Sequence, residues 1–68
     1  MRVKVTVEFE IELDPESYDE ADQNDIARMI EVEQNNARDM GLGDYLPVLL
    51  DLHYDQTGED ATVEFTPL

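Results

Sequence analysis

From Val3 to Leu13 the odd positions hold Val3, Val5, Val7, Phe9, Ile11 and Leu13, while the even ones hold Lys4, Thr6, Glu8, Glu10 and Glu12. Alternation with a period of two over so long a stretch specifies a strand with one apolar and one wet face. It also rules out a helix, whose apolar positions recur every three to four residues. Whatever fold the chain adopts has to cover one side of this segment.

Little is available to cover it. The chain has 68 residues, and a domain of about that size buries only roughly 60% of its unfolded surface, so one thin core is expected. There is no cysteine and no zinc motif to reinforce that core. Stability therefore has to come from packing or from association, and a homodimer is one way to supply it.

Asp14 and Pro15 end the strand, because proline removes a ladder donor and the preceding aspartate suits the cap of a helical turn. Ile26, Met29, Ile30, Ala37 and Met40 then fall on one helical stripe. With Asp22 and Asn24 as cap candidates, a helix from about Gln23 to Met40 is expected. Glu33 interrupts the stripe, so this helix needs docking, and Gly41 suits its C-terminal position.

Tyr45 and Leu46 are expected to close the open end of the core. Beyond Pro47, the alternation of Val48, Leu50, Leu52 and Tyr54 with Leu49, Asp51, His53 and Asp55 reads as a second strand. The Thr57–Gly58 pair reads as a turn and Ala61, Val63 and Phe65 as the third strand, completing a hairpin. The expected fold is α+β, a two-layer β-α-β-β arrangement with a three-stranded sheet and one helix on its apolar face. A short helix from Asp44 to Leu50 is the alternative to the second strand.

A catalytic triad is excluded by inventory, and no enzymatic activity is expected. Ser17, His53 and Lys4 are the only serine, histidine and lysine, and they do not make a nucleophile with its base. The many carboxylates lack the concave, desolvated setting that acid–base chemistry on a sugar requires. His53 reads as an exposed histidine among carboxylates, because a transition-metal site wants further nitrogen or sulfur ligands. Glu20, Asp22, Asn24 and Glu31 match four places of a calcium loop, but Asp25 stands where the turn needs glycine. No metal and no cofactor are expected.

What remains is charge. Eighteen Asp and Glu against four Lys and Arg give a net charge of −14, which repels nucleic acid and anionic lipid and attracts basic proteins. On the wet side of the first strand Glu8, Glu10 and Glu12 repeat about every 6.7 Å, close to the axial rise of two nucleotides on one strand. Asp51, Asp55 and Glu64 are expected on the same side of the sheet. These six carboxylates form the candidate partner-binding face, and a basic, nucleic-acid-binding protein is the partner it suits. A charged surface that only confers solubility, or that suits a saline cytoplasm, is the competing explanation. No apolar run resembles a signal peptide or a membrane span, so a cytoplasmic location is expected.

The first strand, followed by Asp14, Pro15, Glu16, Ser17, Tyr18 and an acidic helix, resembles small proteins encoded by bacteriophages and prophages. In size and charge the chain is also similar to phage-encoded DNA mimics of the anti-CRISPR and anti-restriction class. That resemblance implies a non-catalytic inhibitor that occludes a basic channel of a host defence protein. The alternative is a homodimeric phage structural or accessory protein whose first strand pairs with its own copy.

Overall fold

The computed structural model describes residues 1–68 and orders them as strand β1 (Val3–Glu8), helix α1 (Ile26–Met40), helix α2 (Leu42–Thr57) and strand β2 (Thr62–Pro67), with a single 3-10 turn at Pro15–Ser17. The class is α+β, but the sheet has two antiparallel strands and there are two helices. This corrects the expected three-stranded sheet carrying one helix.

The correction has its origin in the run from Leu46 to Tyr54, whose apolar residues satisfy both periods. Read with a period of 3.6, Tyr45, Leu49, Leu52, His53 and Gln56 form one stripe, and this is the period the chain adopts. Pro47 lies inside α2, near enough to its N-terminus that only the first turn loses a bond. The helix also runs well beyond the short Asp44–Leu50 alternative. Gly58, read as a hairpin turn, instead ends α2 in the left-handed region with φ 71°, the usual role of a glycine just past a helix.

Gly41 ends α1 where expected. Its φ of 82° and ψ of 147° lie in a region essentially restricted to glycine, and α2 starts one residue later. The two helices therefore fold back on each other as a hairpin with almost no loop. Asp25, not Asp22 or Asn24, caps α1 by accepting from the Arg28 N–H at 3.2 Å. Asp14 caps the 3-10 turn by accepting from the Glu16 N–H at 3.0 Å.

The alternation from Val3 to Leu13 is real but serves two different surroundings. Strand β1 stops at Glu8, where its partner β2 runs out at Thr62. Beyond it the chain crosses the helical body against α2, with Phe9, Ile11 and Leu13 half-buried and Glu10 and Glu12 exposed between them. Their backbone finds no third strand. Side chains of α2 substitute for one: Gln56 accepts from the Glu12 N–H at 2.7 Å and donates to the Glu12 carbonyl at 2.9 Å, while His53 bonds the Glu10 carbonyl.

A Gln56→Leu substitution removes both the acceptor of the Glu12 N–H and the donor to its carbonyl. It is expected to speed amide exchange at Glu12 about tenfold, measured by hydrogen exchange. Unaltered exchange at Glu12 contradicts this substitute ladder.

The core is confined to the helical hairpin and this crossing segment: Met29, Tyr45 and His53 alone are buried. The ribbon of β1 and β2 projects from it. The molecule measures 49 × 27 × 19 Å with a radius of gyration of 14.5 Å, against about 11 Å for a compact chain of this length.

Candidate functional site

Two clusters of functional side chains emerge, one inside the helical body and one on its surface. Inside, Glu33 of α1 receives the hydroxyls of both Tyr18 and Tyr45. Tyr18 donates to one carboxylate oxygen at 2.6 Å and Tyr45 to the other. The glutamate that broke the apolar stripe is thus the polar centre of the core, a role hidden in the sequence because Tyr18 lies fifteen residues away on the linker. The Tyr18 carbonyl accepts from the Gln23 side chain at 3.2 Å, which holds the linker in place.

Burial, followed by the hydrogen bond and negative charge of Glu33, pushes Tyr18 and Tyr45 each up to about 12 from the ordinary 10. A pKa raised on folding stabilises the fold fully below about pH 10 and ceases to do so as pH rises from 10 towards 12. Both tyrosines are accordingly expected to titrate near pH 12 by near-ultraviolet absorbance, with helicity falling across the same interval. Titration of both near 10 contradicts the clamp.

His53 corrects its reading as an exposed residue. It is buried beneath Phe9, whose ring centroid lies 5.6 Å away at a tilt of 58°. Because a carbonyl only accepts, its Nδ1 carries the proton in the bond to Glu10. The histidine is a structural clip between α2 and the crossing segment. Across the molecule no three His, Asp or Glu side chains converge as a metal site requires.

On the surface, the six predicted carboxylates divide into three groups. Glu8 and Glu64 share the polar face of the ribbon, opposite Thr62 and Thr6 respectively. Glu10 and Glu12 continue the line along the crossing segment. Asp51 and Asp55 are not on the sheet at all: they sit one turn apart on α2, and their helical positions turn them away from His53 and Gln56. The continuous sheet face carrying all six is therefore corrected.

In its place, Glu59 and Asp60 from the connection after α2 join Glu8 and Glu10 around a cleft floored by Phe9, His53 and Thr57, with Glu12 beside it. These two residues went unrecognised because they fall between the expected Thr57–Gly58 turn and the expected third strand.

Arg28 is the one ion-paired basic side chain, 3.5 Å from Asp22 and 2.9 Å from Glu31. Neither contact involves Glu10, Glu12, Glu59 or Asp60. Arg2 and Lys4 belong to the ribbon, where they balance Glu8 and Glu64. The full −14 consequently resides on residues 9–61, outside the strands.

Compared with models of protein families, with curated proteins and with solved structures, the chain matches none. No helix is long and apolar enough to cross a membrane.

Proposed function

We propose that the chain is a non-catalytic binding protein whose acidic body takes the place of a nucleic-acid backbone on a basic, nucleic-acid-binding partner. The observation that carries this reading is the row of Glu8, Glu10 and Glu12, exposed at alternate positions and flanked by Glu59 and Asp60. Carboxylates at alternate positions of an extended chain repeat about every 6.7 Å, close to the axial rise of two nucleotides on one strand, and each accepts charge-assisted bonds from Arg or Lys. The row is rigidly held, because His53 and Gln56 clip its backbone to α2. A fixed array binds with less loss of conformational freedom than a flexible acidic tail.

An inhibitor of the phage type, acting on a host defence protein, is the form of this function that the size and charge suggest. The mechanism is occlusion: the long-range field draws the partner's basic channel onto the row, and the body then blocks nucleic acid sterically. Tagged protein incubated with bacterial lysate at physiological salt tests it. A nucleic-acid-binding protein retained on the bait and released by added duplex or single-stranded nucleic acid is the expected result. If nothing is retained, or if what is retained ignores the competitor, the mimicry is wrong.

A further inference from the structure

The ribbon has a face the rest of the molecule does not use. Its register sets Val3 opposite Pro67, Val5 opposite Phe65 and Val7 opposite Val63, so six apolar residues share one side. No helix covers them: Val5 is 52% exposed, Val63 55% and Phe65 67%. An isolated two-stranded ribbon is marginal in water at best and needs a hydrophobic face packed on something to persist.

We propose that this face is closed by the same face of a second copy of the chain, in a two-fold symmetric dimer. The inference does not depend on the mimicry argued above. The chain exposes 5710 Å², about 1,300 Å² more than a compact monomer of 7.8 kDa, and the ribbon's apolar face, with Val3, Val5, Val7, Val63 and Phe65 between 41% and 67% exposed, is part of that surplus.

Charge selects the occupant. Two copies carrying −14 each repel wherever their bodies meet. On the ribbon, however, Arg2 and Lys4 offset Glu8 and Glu64, leaving the one sizeable region where like molecules approach without net repulsion. A basic partner is drawn by the field to the body instead, and an anionic lipid surface is repelled by it. Pairing of free strand edges into a four-stranded sheet would leave the valines and Phe65 still in water, so packing is face to face, with the ribbons about 10 Å apart.

Two double variants that add the same charge to opposite faces test the proposal by light scattering. Wild type is expected at twice the 7.8 kDa chain mass. Val5→Glu with Phe65→Glu, on the apolar face, is expected at the monomer mass. Thr6→Glu with Thr66→Glu, on the polar face, remains dimeric.

Helicity by circular dichroism is retained in both, since no helix packs across the ribbon. Should the apolar-face variant lose helicity, Phe65→Ala serves instead and is expected to weaken the dimer at least tenfold. A monomeric wild type at millimolar concentration overturns the proposal. So does a dimer that survives the apolar-face changes, or one that both double variants dissociate equally.

Discussion

Tyr45→Ala is expected to destabilise the protein by about 3–5 kcal/mol, the range for losing a buried aromatic side chain. The reason lies in how little is buried. Tyr45 and Met29 are the only buried apolar residues, and Tyr45 also supplies one of the two hydroxyls that satisfy Glu33. Truncation to alanine opens a cavity between the helices and leaves a half-buried carboxylate with a single donor.

Tyr45→Phe keeps the ring and loses only that donor, so about 1–3 kcal/mol is expected. Adding Glu33→Leu to Tyr45→Phe should recover part of the loss, because it removes the under-bonded carboxylate and leaves only the half-buried Tyr18 hydroxyl without its acceptor. Urea unfolding followed by circular dichroism measures all three. A Tyr45→Ala variant within 1 kcal/mol of wild type would show that the helical hairpin is held by something other than this core.

The second large effect concerns the acidic row. Reversal of Glu10, Glu12, Glu59 and Asp60 to lysine is expected to weaken partner binding about 100-fold or more. It breaks several charge-assisted contacts together, and each such loss in a desolvated setting costs about 2–5 kcal/mol before repulsion is added. Reversal of Asp51 and Asp55, on the outer side of α2, changes the field but not the contact. A loss of about threefold is expected there, mostly in the association rate. Equal losses from the two sets would mean that net charge alone attracts the partner, and the row would lose its assignment as the contact surface.

Much of this was legible where one physical requirement dominated. The β1 alternation, the helix ending at Gly41 and the capped turn at Asp14 each rest on backbone chemistry that few alternatives satisfy. The second helix was not legible as such. Leu46 to Tyr54 is apolar enough to fit either period, and a proline disfavours helical backbone at the residue before it. The helix prevailed because Tyr45, Leu49 and His53 then face α1 and the crossing segment together.

That outcome also moved the site. With Asp51 and Asp55 on a helix, the six-residue sheet face could not form, and Glu59 and Asp60 came to flank the row instead. His53 was misread for the same reason: on a strand it faces solvent, whereas on α2 it lies under Phe9. Glu33 carried a signal, since a carboxylate within an apolar stripe demands donors, but nothing in its neighbourhood named Tyr18.

The central claim is that the net charge sits apart from the ribbon's apolar face, the −14 on the body and that face on a neutral ribbon. Sedimentation equilibrium of the wild-type chain at low and high salt tests it most directly. Between about 0.01 M and 1 M the Debye length falls from roughly 30 Å to roughly 3 Å, which screens repulsion between the bodies and leaves the ribbon contact intact. A dimer that tightens at least tenfold across that range is the predicted result; a dimer that salt dissociates, or a monomer at both ends, would contradict the account.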